Sequence, residues 1–344
     1  MPPRYEIRAV SVDDTEDLLE LASFLDSVNL PNDRAEIAPI IEHSERSFSG
    51  EVTDPNKREY RFVVRDLEHD RTVGTSLVVA QLGRRDAPYI YFQVRTEERY
   101  SQSLDKHFVH RVLSIGYSYD GPTEIGGLVM HPECRRVTEK LGLQISYVRF
   151  LFIAMHRERF QNQLLAELLP PLEPDGTSHL WEAVGRRFTD MTYREADRLS
   201  KRNKEFIRGL FPEGDLYASL LADDARDVIG KVGPQTKGVE KMLRRIGFRY
   251  VDRVDPFDGG PHFMAPTDEV TLVERSALRP LEAAPDGAAL PGRALVARSY
   301  AAAPWFRAVA VPADAREPVV RLERSTLDHL GLAAGASAWV LPLD

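Results

Sequence analysis

Apolar residues recur along the chain with two periods, and the change from one to the other predicts where strands and helices alternate. The N-terminal elements predicted in this way are a strand at 5–12, helices at 13–26 and 33–48, a hairpin of strands at 60–67 and 72–80, and further strands within 83–120. A polar turn, His69–Arg71, separates the hairpin strands, and Asp13 or Asp14 provides a cap for the first helix.

The central segment 123–154 is predicted to form a strand, a basic turn and a long helix. Thr123–Met130 is an apolar run that contains two glycines, and Pro132 ends it. Apolar residues then follow four, three, four and three positions apart, at Leu141, Ile145, Val148, Phe152 and Met155. This spacing is typical of a helix with one apolar face.

Three cations, Arg135, Arg136 and Lys140, stand at the entry to this helix, where the helix dipole disfavours positive charge. Binding of an anion at this helix N-terminus would explain why cations lie beside its free backbone N–H groups, and pyrophosphate is a common ligand at such sites. The alternative is a solvated corner of the protein in which Glu139 offsets part of the charge. These residues alone leave both interpretations open.

The second half of the chain alternates short strands and helices and then becomes rich in Ala, Pro and Gly. Its predicted elements are a strand at 163–172, a helix at 178–188, a polar and mostly helical insertion at 189–235, a helix at 236–246 stopped by Gly247, strands at 248–254 and 263–273, a linker at 277–293, and a β-rich region at 294–344 with one short helix near 325–330.

Composition narrows the classes of function. With 344 residues, of which 43% are hydrophobic, the chain can bury a large core and form roughly two domains. Its net charge of −8 disfavours nucleic-acid binding. Cys134 is the single cysteine, so no intrachain disulfide forms. No apolar run approaches the ~20 residues that span a bilayer, and MPPRYEIRAV lacks the apolar part of a signal peptide. We therefore expect a cytoplasmic protein with no membrane partner.

The order of the elements resembles the GNAT fold of acyl-CoA-dependent N-acyltransferases, in which a helix that ends in Gly-Phe, here Gly247-Phe248, is common. Over nearly its whole length the chain also resembles the arginine N-succinyltransferase family. The segments that carry this resemblance are SERSF at 44–48, VRFLFIAMHRERF at 148–160, W-E-x-x-G-R-R-F at 181–188, EAD at 195–197, NKEFI at 203–207, DVIGKV at 227–232, GFRY at 247–250 and FDGGP at 257–261.

The resemblance implies an α+β, GNAT-like fold with a mixed, mostly antiparallel central sheet flanked by helices. We expect an acyltransferase domain at 1–276 with a helical insertion at about 175–235, a linker at 277–293 and a small β-rich C-terminal domain at 294–344. The implied reaction moves a succinyl group from succinyl-CoA, the acyl donor, to the α-amine of L-arginine. Two alternatives stay open: another acyl-CoA or amine such as ornithine, and a non-catalytic subunit paired with an active paralogue. A homodimer or such a heterodimer is expected from exposed sheet edges.

The chain departs from the family at three places. The family commonly has a proton-transferring histidine in V-H-P-x-T, where this chain has VGPQT with Gly233 in place of the histidine. The basic turn RRVTEKLGLQ is about two residues longer than that of the family, which is also richer in glycine. The run LLPPL at 168–172 replaces a more basic, glycine-containing run. The first departure leaves the usual proton-transfer role vacant at that position.

Candidate site residues follow from the resemblance and from the chemistry of acyl transfer. Glu124 is the first choice for the general base, because many proteins of this fold use a strand carboxylate acting through water, and His131 is the second. Leu128 and Met130 are expected to contact the acyl-CoA arm through their backbone, where an N–H serves as oxyanion donor. The remaining candidates are Arg135, Arg136, Lys140 and Gly142 for the CoA phosphates, and Asp255 and Asp258 for a substrate guanidinium.

Two of these assignments have simpler alternatives. Asp258 is the first residue of a D-G-G-P turn that it can form alone, and we favour turn formation as the role of Asp255 and Asp258. Glu124 could equally be a surface carboxylate at the end of a strand. We expect no metal site, because His107 and His110 have no carboxylate at a convincing spacing.

Overall fold

The computed structural model describes residues 2–24, 29–201, 203–333 and 335–343. These residues group by their contacts into two compact units. The first unit contains residues 1–81, 123–162 and 267–344, and the second contains 82–122 and 163–266. This grouping runs across the predicted domain boundaries, because residues 267–344 share a unit with the N-terminal segment.

Strands make up most of both units. In chain order they are β1 (Tyr5–Ala9), β2 (Glu59–Asp66), β3 (Arg71–Val79), β4 (Tyr89–Ser101), β5 (Lys106–Ser118), β6 (Thr123–Met130), β7 (Gln163–Glu167), β8 (Leu216–Tyr217), β9 (Arg249–Val254), β10 (Pro261–Pro266), β11 (Ala277–Ala283), β12 (Gly292–Ser299), β13 (Phe306–Asp314), β14 (Val320–Leu322) and β15 (Ser337–Pro342).

The helices lie between these strands and are mostly short. They are α1 (Thr15–Phe24), α2 (Arg34–Ser49), α3 (Leu141–Met155), α4 (Arg186–Thr189), α5 (Tyr193–Ser200), α6 (Glu205–Leu210), α7 (Asp223–Val228), α8 (Lys237–Arg245), α9 (Thr271–Glu274) and α10 (Arg324–His329). Asp33 caps α2 by accepting a hydrogen bond from the Ala35 N–H, as its residue type favours. The predicted end of the first helix, at residues 25 and 26, lies outside the described residues.

In the first unit the strands pair in the order β12-β15-β11-β14-β13-β1-β2-β3-β6, and β12 also pairs with β13. The pairs are antiparallel except for β11 with β14. Strands β11 to β15 thus close a ring around an apolar cluster that includes Leu281, Val296, Val309 and Val340. Helices α1 and α2 cover β1–β3 through a second cluster that includes Leu18 and Ile41.

In the second unit the order is β7-β10-β9-β4-β5-β8, and every pair is antiparallel. Its core is built on Trp181, which is fully buried and stacks on Phe257 with ring centroids 5.1 Å apart. The described residues therefore have mixed, mostly antiparallel sheets with helices packed on them, which confirms the predicted α+β class.

Several predicted element bounds are wrong. The strand predicted at 5–12 ends at Ala9, and a 3₁₀ turn follows at Val12–Asp14. The linker at 277–293 includes β11, because Ala277–Ala283 pairs with β15 and β14 despite its Ala- and Pro-rich composition. The strand predicted at 163–172 ends at Glu167, before two prolines that cannot donate to a ladder. The strand predicted at 263–273 ends at Pro266 and continues as a helical turn and α9.

Candidate active site

A β-bulge in β6 forms the centre of the candidate site in the first unit. The pairing of β3 with β6 shifts its register between Thr75 and Leu77, so Ser76 faces two residues, Gly127 and Leu128. Gly127 has φ +57°, the left-handed conformation that glycine adopts at bulges of this type. The extra residue interrupts the ladder and turns the backbone of Leu128, the predicted acyl-CoA contact, out of regular pairing.

Glu124 lies beside this bulge. A methyl group in place of the Gly126 hydrogen would lie 3.3 Å from Glu124 Oε1 and 3.8 Å from Asn29 Nδ2. Glu124 is half-buried, so its carboxylate is within reach of both solvent and the bulge. The structure thus brings two predicted residues, Glu124 and Leu128, to the same segment of β6.

Two buried arginines flank the bulge, and the sequence reasoning missed both. Arg61 of β2 donates from Nη2 to the Asn29 carbonyl at 2.6 Å, and its Nη1 lies 3.7 Å from where a Gly127 methyl would stand. Arg149 of α3 donates from Nη1 to the Gly126 carbonyl at 3.3 Å. Burial lowers the pKa of each guanidinium to about 10. A charged residue inside an apolar run, as in YRFVV and YVRFLFIA, was the available signal.

The basic turn lies between β6 and α3. A short 3₁₀ turn, Pro132–Cys134, follows the strand, and Arg135 folds back so that its Nε donates to the Met130 carbonyl at 3.1 Å. Arg136 is exposed, and Lys140 is the N-cap of α3 in the left-handed conformation with φ +57°. A methyl at Gly142 would meet Met130 Cγ at 3.9 Å, which leaves the helix entry open. The predicted phosphate-binding residues therefore surround the N-terminus of α3.

His131, the second candidate base, faces α1. Its ring packs edge-on against Phe24 at 5.0 Å, and its Nε2 lies 3.4 Å from Glu20 Oε1. Its Nδ1 accepts a hydrogen bond from the Glu133 N–H at 3.4 Å. The ring is buried, and these neighbours contact its edge and both nitrogens.

Asp255 and Asp258 lie in the second unit, in the loop between β9 and β10. Asp255 Oδ1 accepts from the Phe257 and Asp258 N–H groups at 2.6 and 3.3 Å, and Asp258 Oδ1 accepts from Gly260 at 2.7 Å. Both carboxylates therefore take part in the turn. Burial raises the pKa of both, and the charge of Asp255 raises the pKa of Asp258 further. A cationic ligand would stabilise the ionised form of these carboxyl groups.

Gly233, which stands where the family has its histidine, is closed off by backbone. Its N–H donates to the Leu169 carbonyl at 2.8 Å, and a methyl there would lie 2.6 Å from the Pro170 oxygen. No side chain fits without moving this segment. Leu169 and Pro170 of the LLPPL run therefore occupy the space next to Gly233.

A buried histidine that the sequence reasoning did not select lies in the same unit. His262 Nδ1 is 2.8 Å from the Tyr89 hydroxyl, and its Nε2 is 3.4 Å from Glu167 Oε1. Burial, chiefly, lowers the pKa of His262 to about 3, so the ring is neutral. Glu167, Asp255 and His262 place one ligand atom each within 4.8 Å of one another, as do Asp66, Glu68 and His69 in the first unit. The absence of a metal stays a prediction.

Within the described ranges, no helix has both the length and the apolar content to cross a membrane.

Comparison with known proteins gives concordant matches. The sequence matches the model of the AstA family, described as arginine N-succinyltransferase beta subunit, over residues 5–272. It is 32% identical to arginine N-succinyltransferase of Yersinia pestis (strain Pestoides F), covering 98% of this chain and 97% of the relative. It is 31% identical to the protein of that name from Escherichia coli O6:K15:H31 (strain 536 / UPEC), covering 96% and 95%.

A solved structure is similar over the same extent. Arginine/ornithine succinyltransferase subunit AI from Pseudomonas aeruginosa superimposes with a TM-score of 0.83 at 28% identity and covers 99% of both chains.

Proposed function

Because the chain belongs to the arginine N-succinyltransferase family, we propose that it moves the succinyl group of succinyl-CoA to the α-amine of L-arginine. The match to whole relatives over 98% of the chain is the observation that carries this proposal. A cytoplasmic location is proposed with it.

In the proposed reaction the amine nitrogen attacks the thioester carbonyl carbon, a C–N bond forms and the C–S bond breaks. Glu124 takes the proton that the amine loses, directly or through water, because its carboxylate lies beside the bulge where the acyl-CoA arm is expected. The CoA thiolate leaves and is protonated from solvent. His131 is the less favoured base, since Phe24 and Glu20 occupy its ring.

The β6 bulge provides the proposed acyl-CoA contact. The backbone of Leu128 and Met130 binds the pantetheine arm, and the Leu128 N–H stabilises the oxyanion, a contribution of about 3 kcal/mol in comparable sites. At the far end of the arm, the N-terminus of α3 together with Arg135, Arg136 and Lys140 attracts the diphosphate. Gly142 supports this role because it leaves the helix entry open.

Asp255 and Asp258 are the proposed partners of the substrate guanidinium. Burial raises the pKa of both carboxyl groups, and the charge of Asp255 raises the pKa of Asp258 further, so positive charge nearby would favour their ionised forms. A guanidinium would supply that charge and can bind carboxylates with paired hydrogen bonds. The two aspartates can form their turn and bind a cation together, because each carboxylate accepts several hydrogen bonds.

A second candidate function, a non-catalytic subunit of a paired enzyme, is favoured by the closed site at Gly233. The similar Pseudomonas protein is itself described as a subunit. A homodimer, or a heterodimer with a paralogous subunit, stays a prediction.

One assay separates the candidates: release of CoA thiol with succinyl-CoA or acetyl-CoA, each with L-arginine, L-ornithine or no amine. Release that requires both succinyl-CoA and L-arginine supports the proposed reaction. A preference for L-ornithine or for acetyl-CoA selects the alternative substrate. Binding of succinyl-CoA without turnover for any amine supports the non-catalytic subunit, and addition of an active paralogue then tests whether turnover rises.

A further inference from the structure

The first unit buries two guanidinium groups that have no acidic partner among the residues described. Arg61 is 1% exposed, and its Nε and Nη1 have no hydrogen-bond partner among the described residues. Arg149 is 3% exposed, and its hydrogen bonds to described residues all go to neutral oxygens, those of the Ser146 hydroxyl and carbonyl and of the Gly126 carbonyl. No described carboxylate lies within ion-pair distance of either side chain.

A buried arginine in the same unit shows the usual arrangement. Arg8 is 8% exposed, and it binds the Asp14 carboxylate with two hydrogen bonds of 2.8 and 2.9 Å. Such pairing is the rule because an isolated buried charge is strongly disfavoured. Arg61 and Arg149 depart from it. Burial lowers the pKa of Arg61, and the charge of Glu59 opposes this shift without a hydrogen bond. Burial is the cause of the lowered pKa of Arg149.

Each of these two guanidiniums approaches the bulge of β6. Arg149 Nη1 binds the carbonyl of Gly126, and Arg61 Nη1 faces the missing side chain of Gly127. A Cβ at Gly127 would lie 3.7 Å from Arg61 Nη1 and 3.0 Å from Leu77 Cβ, so any larger residue there would crowd the Arg61 guanidinium. Residues 126–128 are themselves half-buried, so the strand borders solvent at this point.

We propose that Arg61 and Arg149 form a subsite for the free carboxylate of a dicarboxylic acyl group, and that this subsite selects succinyl-CoA over uncharged acyl donors. The inference rests on the proposed function, in which the thioester lies at Leu128. Arg149 binds the Gly126 carbonyl and Arg61 faces Gly127, the two residues that precede Leu128. A carboxylate there would supply the negative charge that no described side chain provides to these arginines. Guanidinium groups bind carboxylates with a planar pair of hydrogen bonds.

The position favours an acyl carboxylate over a CoA phosphate. Both guanidiniums are buried, Arg61 against the Asn29 carbonyl and Arg149 against Ser146 and the Gly126 carbonyl. The cations Arg136 and Lys140 are exposed and lie beyond the end of β6. A diphosphate is larger, more highly charged and more strongly hydrated, which suits the exposed turn. A single carboxylate suits the enclosed pair.

The test compares succinyl-CoA with butyryl-CoA, which has the same four-carbon length and lacks the carboxylate. Dissociation constants are measured by titration calorimetry for the wild type, Arg61→Gln, Arg61→Lys and Arg149→Gln. The matched control is Arg8→Gln, a buried arginine of the same unit that is already paired with Asp14. Thermal melts of each variant without ligand establish that it is folded.

We expect the wild type to bind succinyl-CoA at least roughly tenfold more tightly than butyryl-CoA, the range of a charge-assisted hydrogen bond. Arg61→Gln and Arg149→Gln should bring this ratio towards one by weakening succinyl-CoA alone. Arg61→Lys should retain part of the preference, and Arg8→Gln should retain all of it.

Equal affinity of the wild type for the two thioesters overturns the proposal, and this measurement needs no variant. An unchanged ratio in both glutamine variants overturns it as well. The proposed reaction is judged separately by turnover with L-arginine. A ratio that depends on Arg61 without turnover supports the subsite and argues against the reaction, while turnover with an unchanged ratio does the reverse.

Discussion

Replacing Gly127 by alanine tests whether the β6 bulge positions the acyl donor. Gly127 has φ +57°, and an alanine in the left-handed region costs about 1 kcal/mol. Its methyl would also lie 3.0 Å from Leu77 Cβ, so the packed strand must shift, which adds on the order of 1 kcal/mol. The expected loss in the free energy of unfolding is therefore about 2 kcal/mol.

Gly50 is the matched control. It has φ +86° at the C-terminus of α2, and nothing lies within 4 Å of the position of its missing methyl. Gly50→Ala should therefore show the backbone cost alone, about 1 kcal/mol, and leave the bulge intact. The comparison separates left-handed strain, which both variants share, from the steric change that only Gly127→Ala produces.

Urea unfolding measures the stability of both variants, and CoA release under saturating and limiting succinyl-CoA measures their activity. We expect Gly127→Ala to lose at least roughly tenfold in kcat/KM, because a small displacement of the oxyanion donor has a large effect on rate. Gly50→Ala should keep wild-type kinetics. Equal stability losses in the two variants, with unchanged kinetics in Gly127→Ala, would refute this reasoning about the bulge.

Three further predictions concern the remaining site residues. Glu124→Gln should lower kcat by roughly 10²- to 10⁴-fold without changing succinyl-CoA affinity, and the loss should shrink as rising pH deprotonates the amine; a wild-type pH–rate profile would exclude Glu124 as base. Gly233→Ala should lower the free energy of unfolding by about 2 kcal/mol in urea titrations, because its methyl would lie 2.6 Å from the Pro170 oxygen; unchanged stability would show that this segment yields easily. His262 has its pKa lowered to about 3 from 6.5, so its contribution to stability is complete above pH 6.5 and is lost as pH falls towards 3. Between pH 7 and 5 this amounts to about 2 kcal/mol, and denaturant titrations of His262→Gln should lack that part of the slope; parallel curves for variant and wild type would contradict the assignment.

Periodicity and caps identified the long elements well. Helix α2 begins after the capping Asp33, and α8 is followed by Gly247 at φ +113°, as expected from residue types that act locally. The family resemblance predicted from short motifs is confirmed, and so is the mixed, mostly antiparallel α+β fold. These features could be predicted because caps, turns and long motifs depend on neighbours in sequence.

Strand β11 shows where local reasoning failed. Its composition favours a loop, yet its backbone groups pair with β15 and, from Leu281 onwards, with β14. Pro280, which has no N–H to donate, lies just before the second pairing begins. The conformation of Ala277–Ala283 is therefore determined by pairing with strands that are distant in sequence.

The candidate site divides in the same way. The sequence by itself determined which groups are present: a strand with two glycines, a carboxylate at its start, three cations before a helix, and a glycine in place of the family's histidine. Each can be found from residue type and spacing alone.

Only the tertiary structure decided what surrounds them. It buries Arg61 and Arg149 at the bulge without a described carboxylate, and it closes the space at Gly233 with the Leu169 and Pro170 carbonyls. The physical reason is that burial and pairing of a charge depend on groups far apart in sequence. A lone arginine in an apolar run indicates that a charge is buried at a cost in free energy. Only the fold shows where a compensating negative charge can bind.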